Sequence, residues 1–292
     1  MDRRTTGGNY PAITQTELEK IIIPLPPKET QNKIIQIMDN AYKVKKENEG
    51  KAKELLNSID VYLLDKLDIT LPKEEKIVSF KVDSSDIFGS RFDPSYHTDY
   101  TKMKKECFSY GKYQSKEIKN IFAIVRGRVI SKQYIEKNSG IYPIYSSQTS
   151  NDGVFGKIKT YDFNGEYITW TTDGIYAGTC TYRSGKFNCT NVCGTLKPKI
   201  ENLNLRYISD VLNQITKQYV TKVANPKLMS NIMGTIKIPL PHLDIQNEIA
   251  SHIQSLRDEA KFLQIEAKEV LKSAKDEVED IILGDKYNQK VR

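Results

Sequence analysis

One phrase occurs twice in this 292-residue chain. IIIPLPPKETQNKIIQIM starts at Ile21 and IKIPLPHLDIQNEIASHI starts at Ile236, an offset of 215 residues. The offset holds without a gap through Pro24/Pro239, Leu25/Leu240, Pro26/Pro241, Gln31/Gln246, Asn32/Asn247 and Ile34/Ile249. It extends upstream to Pro11/Pro226, and downstream to Ala52-Lys53-Glu54 against Ala267-Lys268-Glu269, then Leu56/Leu271, Ser58/Ser273 and Asp65/Asp280. This is an internal repeat, and it requires two copies of one structural unit near the two ends of the chain.

The segment after each copy is helical in pattern. Ile34, Met38, Ala41, Asn48, Ala52, Leu55, Ile59 and Tyr62 step by three, four and seven residues, and so do Ile249, Ile253, Leu256, Leu263, Ala267, Val270, Ala274 and Val278. Neither segment contains an internal proline. At 1.5 Å per residue each helix would span roughly 50 Å, and a narrow apolar seam on a long charged helix calls for a partner helix. Pro24, Pro26 and Pro27, like Pro239 and Pro241, force an extended approach to the helix. Glu29 and Asp244 stand just ahead of the helices, where the positive end of the dipole favours an anion. Asn48 stands where the repeat has Leu263, which favours the pairing of unlike helices, within one chain or between two.

Between the helices, beyond a charged connector, the texture changes to short alternating stretches broken by glycine. Strands are expected at GIYPIY from Gly140, GEYITWTT from Gly165, GTCTYR from Gly178 and CGTLKP from Cys193, with a helix over Leu205–Val220. The fold class expected is α+β: one mixed α/β domain flanked by two long helices that pair as a coiled coil. The boundaries are residues 1–27, 28–70 for the first helix, 71–84 for the connector, 85–241 for the domain, 242–285 for the second helix and 286–292 for a tail.

Composition excludes some functions. No apolar run approaches the roughly 20 residues of a membrane span, and the N-terminus lacks a signal-peptide pattern, so no membrane partner and a cytoplasmic location are the expectation. A net charge of +7 suits a polyanionic partner. Cys189 and Cys193 have metal-pair spacing, but no histidine or second cysteine pair lies near to complete a tetrahedral site. No metal and no cofactor are expected. His97, His242 and His252 are scattered, Asn225-Pro226 runs into Lys227-Leu228 rather than a methyltransferase loop, and Asp162 and Glu166 lack the following lysine of a nuclease pattern. No catalytic residue is assigned.

The order of these motifs resembles the specificity (S) subunits of type I restriction–modification systems. The likeness rests on Ile23-Pro24-Leu25-Pro26-Pro27 with Gln31 and Ile34, and on Ile238-Pro239-Leu240-Pro241 with Leu243, Gln246 and Ile249. His242 departs from the second proline of the pair. It rests also on GIYAGT from Gly174, NVCGTL from Asn191 and Asn225-Pro226-Lys227-Leu228. In that family a target-recognition domain hands over to a spacer helix through such a proline phrase. The resemblance implies a half-sized or truncated specificity subunit, with the end of a first recognition domain, one complete domain and both spacers.

The partners implied are double-stranded DNA, a DNA adenine methyltransferase (M) subunit and a restriction (R) subunit, with a homodimer through the spacer helices as a further arrangement. DNA reading needs cations for phosphate and planar donors or acceptors for base edges. The candidates are Arg126, Arg128 and Lys132 after an apolar strand, and Arg183 and Lys186 around a glycine turn. Ser146, Ser147, Gln148 and Asn151 belong to a polar loop, and Thr171, Thr172, Asn188, Lys222 and Lys227 complete the set. Trp170 reads as core. An assembly protein that binds subunits without reading DNA, and a self-contained enzyme, are the competing readings.

Overall fold

In the computed structural model the described residues are 13–21, 23–73, 79–88, 96–109, 111–147, 150–221 and 225–284. In chain order they form α1 (Gln15–Glu19), α2 (Lys28–Lys66), α3 (Ser84–Ile87), α4 (Asp99–Glu106), β1 (Ser115–Glu117), α5 (Ile118–Ile121) and β2 (Phe122–Arg126). Then come α6 (Lys132–Lys137), β3 (Ser139–Tyr145), β4 (Val154–Ile158), β5 (Phe163–Thr171), β6 (Cys180–Cys189) and β7 (Cys193–Pro198). The chain closes with α7 (Leu205–Ile215), α8 (Ser230–Thr235), β8 (Lys237–Pro239) and α9 (Leu243–Leu283). The fold is α+β, and it divides into two compact units, residues 1–56 with 258–292, and residues 57–257.

The first unit holds most of α2 and of α9. Its buried positions are Ala41, Asn48 and Ala52 on α2 and Ala260, Ala267 and Ala274 on α9. Steps of seven and four residues on α2, and of seven on α9, keep these small residues on one side of each helix, which lets two backbones approach closely. Inside the seam Asn48 Nδ2 donates to Glu266 Oε2 at 2.9 Å, so the asparagine finds its partner on α9 beside, rather than at, Leu263.

The repeat has a structural reason. Gln31 Nε2 donates to the carbonyl of Pro26 at 2.8 Å, and Gln246 Nε2 donates to the carbonyl of Pro241 at 2.9 Å. In each copy a first-turn glutamine ties back to the second proline of IPLP, satisfying a carbonyl that takes no backbone donor among the described contacts. Glu29 and Asp244 lie inside the first turn, since the helices begin at Lys28 and Leu243.

The second unit is built on a six-stranded sheet in the order β2-β7-β5-β6-β3-β4, antiparallel except where β3 runs parallel to β6. Beside it β1 and β8 pair antiparallel. One face of the sheet, with Ile168, Trp170, Cys180 and Leu196, joins Tyr207, Ile208, Val211 and Leu212 of α7 and the ends of both long helices, Leu63, Ile249 and Ile253, in one core. The other face gathers Tyr167, Phe187, Cys189 and Cys193 against Tyr145 and Phe163.

Two expectations change. The strand from Gly178 continues to Cys189, because Gly185 pairs with Gly165 of β5 within an unbroken ladder instead of turning the chain. The helix from Leu205 ends at Ile215 and tightens into a 3-10 turn over Thr216–Gln218. Trp170 is core: it is 1% exposed, and its indole Nε1 donates to the Leu228 carbonyl at 3.1 Å. A β-carbon on Gly194 would lie 2.2 Å from that ring, so only glycine fits there.

Candidate nucleic-acid interface

The site starts from a close backbone crossing. Gly127 N donates to the Cys193 carbonyl at 3.0 Å and Arg128 N to the Cys189 carbonyl at 3.1 Å, so the end of β2 is laid across the turn between β6 and β7. A β-carbon on Gly127 would meet the Cys189 carbonyl oxygen at 2.2 Å. The glycine therefore lets two arginines emerge either side of that crossing.

Arg126 points to one side. Its Nη2 donates to Thr172 Oγ1 at 3.0 Å, to Asp173 Oδ2 at 3.3 Å and to the Asn191 carbonyl at 2.5 Å. Asp173 also faces Lys227, 3.5 Å from the ammonium, and the two residues form a β-bridge. The NPKL motif is woven in here: Gly174 N donates to the Pro226 carbonyl and Leu228 N to the Thr172 carbonyl, both at 2.9 Å.

Arg128 points to the other side. Its Nε donates to Asp162 Oδ2 at 2.8 Å, and the guanidinium lies 5.3 Å from the centre of the Tyr134 ring. That Asp162 hydrogen bond raises the pKa of the guanidinium above its ordinary value, against a smaller opposing effect of burial. Next to Asp162, the ammonium of Lys186 sits 4.6 Å from the Tyr161 ring, which meets Tyr142 edge-on at 5.1 Å. Ser146 Oγ and Thr190 Oγ1, 2.9 Å apart, close the strip beside Gly127.

The structure thus sets Arg126, Thr172 and Lys227 together at the Asp173 end of β5, and Arg128 and Lys186 at the Asp162 end, with Ser146 beside Thr190. Lys132 is exposed at the start of α6, whose N-cap Ser131 accepts from Tyr134 N. Ser147 is half-buried, and Asn151 is exposed with φ 51°. Gln148 and Lys222 lie outside the described residues.

Four candidates are interior. Thr171 and Thr172 are buried at the end of β5. Asn188 is fully buried and donates to the Thr160 carbonyl at 2.8 Å, which fixes the chain just before Tyr161. Arg183 has a side chain 8% exposed, held 3.0 Å from Asp152 and packed 3.8 Å from the Tyr145 ring. Sequence reasoning missed Tyr134, Tyr142 and Tyr161; the available signal was tyrosine interleaved with lysine and arginine, in a chain with 17 tyrosines.

The chemistry weighed for other functions is engaged elsewhere. Asp162 holds Arg128, while Glu166 accepts from the Tyr182 hydroxyl. Cys193 Sγ donates to Cys189 Sγ at 3.3 Å, and burial raises the Cys189 thiol well above its ordinary value, which disfavours a metal-binding thiolate. Among the described residues no group of three or more His, Cys, Asp or Glu is arranged to hold a metal, and no helix is long and apolar enough to cross a membrane.

A mixed domain with a proline-and-glutamine handover into a long helix, and a second such helix, defines a class. Residues 1–58 and 110–272 match the family model described as the type I restriction modification DNA specificity domain. The chain belongs to this family of type I specificity subunits. It is 34% identical over 241 residues to the Mycoplasma pneumoniae protein named as type I specificity subunit S.MpnORF365P, covering 82% of this chain and 76% of that one. It is 45% identical over 139 residues to the specificity subunit of the type I restriction enzyme MpnII from the same organism, covering 47% of this chain and 42% of that one. Against S.MpnORF507P, also from that organism, it is 42% identical over 151 residues, 51% of this chain and 41% of the relative. The matched part thus spans less than half the length of these last two relatives.

In fold the chain is similar to the crystal structure of the S subunit of a type I restriction–modification system from M. genitalium. The TM-score is 0.55 at 13% identity, over 96% of this chain and 68% of that one. A chain from a structure titled for complex assembly and conformational transition of the type I R-M system gives 0.59 at 14% identity, over 94% and 64%.

Proposed function

We propose that the chain is a sequence-reading DNA-binding subunit that directs a separate DNA adenine methyltransferase subunit, and with it a restriction subunit, to one class of site. It performs no catalysis of its own and works in the cytoplasm. Residues 85–241 are the target-recognition domain, residues 28–70 and 242–285 the spacer helices paired as a coiled coil, and residues 71–84 the connector. Residues 1–27 correspond, through the repeat, to the closing stretch of a recognition domain.

One observation carries the reading: cations stand at both ends of β5, Arg126 and Lys227 around Asp173, and Arg128 and Lys186 beside Tyr134, Tyr142 and Tyr161. Cations to neutralise phosphate, beside planar groups for base edges, are the combination a duplex reader needs. Asp162 and Asp173 hold the two arginines in place. The platform for the methyltransferase is a groove of about 490 Å³ in the first unit, with an apolar floor of Ile37, Ala41, Val44, Val270 and Ala274 and a lip of Glu266, Glu269 and Glu277. Its chemistry suits a helix with an apolar stripe between basic residues. Two copies joined through the helices would read an interrupted palindrome, whereas one copy beside a different half-subunit would read an asymmetric site.

Binding of the full chain to duplexes selected from a random pool, measured against scrambled duplexes across a salt series, tests the proposal. Preference for one sequence, with affinity falling as salt rises, is expected. Equal binding to all duplexes would replace it with the assembly-protein reading.

A further inference from the structure

The two arginines of the strip are not equivalent, and their hydrogen bonds separate them. To read guanine, a guanidinium presents two parallel N–H groups to N7 and O6. It can do so end-on, with Nη1 and Nη2, or side-on, with Nε and Nη2. Both forks use Nη2. In Arg126 that nitrogen faces three acceptors, Thr172 Oγ1, Asp173 Oδ2 and the Asn191 carbonyl, for its two hydrogens, so neither fork is open. In Arg128 the Asp162 carboxylate takes Nε, which closes the side-on fork; the Tyr134 hydroxyl is the other side-chain partner of the guanidinium, and neither a carboxylate nor a backbone carbonyl holds Nη1 or Nη2 among the described contacts, so the end-on fork has no such competitor. The Tyr134 ring, 5.3 Å away, restricts the guanidinium plane.

We infer that Arg128 is the guanine-reading residue of this interface, that Asp162 is its positioning residue, and that Arg126 is a tie between β2 and the Thr172–Asp173 and Asn191 backbone that reads no base. This inference rests on the chain reading DNA, and it goes further by naming the base and the residue. Asp162 acts in two opposed ways. It aims Arg128, and it repels phosphate. Losing its charge should therefore tighten binding to random duplex while weakening discrimination, a combination that a merely structural contact does not produce.

The test is selection of bound duplexes from a random pool by the full chain and by Arg128→Ala, Arg128→Lys and Asp162→Asn, with affinities for the winning site and its single-base variants. The wild type is expected to select a site with an invariant guanine. Arg128→Ala and Arg128→Lys should lose the preference at that one position by roughly tenfold or more, keeping the others. Asp162→Asn should bind random duplex more tightly and discriminate that guanine less well. The inference fails if Arg128→Ala still selects the guanine, if it weakens all duplexes alike, or if Asp162→Asn discriminates as the wild type does. If the wild type selects no sequence at all, the DNA-reading proposal fails with it, and the two failures are told apart by that control.

Discussion

Asp210 lies on α7 with a side chain 4% exposed, and Arg257 grips it through Nη2 at 2.6 Å and Nη1 at 3.2 Å. Burial raises the pKa of the carboxyl, and Arg257 opposes the rise. Because the folded state binds this proton more readily than the unfolded one, the group's contribution to stability is greatest at low pH and falls as pH rises through the folded pKa. Arg257→Ala removes the two hydrogen bonds that grip the buried carboxylate; because Arg257 is itself partly exposed and Arg206 also acts on Asp210, the cost expected at pH 7 is about 1–3 kcal/mol. The deficit should shrink as pH is lowered and Asp210 takes up its proton; a pH series of urea melts on both proteins checks it. Gly194→Ala drives a methyl into the Trp170 ring and should cost about 3 kcal/mol or more, read as a lowered thermal midpoint. At this scale the sequence was partly legible. Trp170 announced itself as core because it ends an apolar strand, but nothing local marked Arg183 as buried, since its burial depends on Tyr145 at the end of β3 and Asp152 in the turn before β4.

At the scale of elements, the Gln246 side chain bridges the Pro241 carbonyl and the backbone N–H of Asn204, and is 2% exposed. Gln246→Ala leaves that part-buried N–H and the Pro241 carbonyl without their partner, and should cost about 1–2 kcal/mol in chemical denaturation. Its counterpart Gln31 is more exposed, so Gln31→Ala should cost clearly less. In the helix groove, Val44→Glu sets a fourth carboxylate beside Glu266, Glu269 and Glu277. Co-purification of the methyltransferase is expected to fall sharply while helicity by circular dichroism is kept; undiminished recovery would move the platform elsewhere. The long helices were legible because period and repeat are local signals. The strand order β2-β7-β5-β6-β3-β4 was not, because pairing between distant segments is decided by the whole core. Gly185 misled for the same reason: its partner Gly165 is found only once β5 and β6 have met.

For the whole molecule, basic net charge and the cation strip point to one partner. Lys186 rests on Tyr161 with no carboxylate holding it among its described contacts, so it is open to phosphate. Lys186→Ala should weaken all duplexes nearly equally and lower the slope of log affinity against log salt by about 1. The interface could be read only as a set of candidate residues from sequence, since what joins Arg128 to Asp162, and Arg126 to Asp173 and Lys227, is the crossing of β2 over the β6–β7 turn. The most direct measurement is the methylome of cells that carry the methyltransferase subunit with and without this chain. Adenine methylation confined to one sequence class, and present only when the chain is present, is expected, and the symmetry of that site reports whether one copy or two read it. Methylation of the same sites without the chain, or none with it, would contradict its role as the subunit that chooses the sequence.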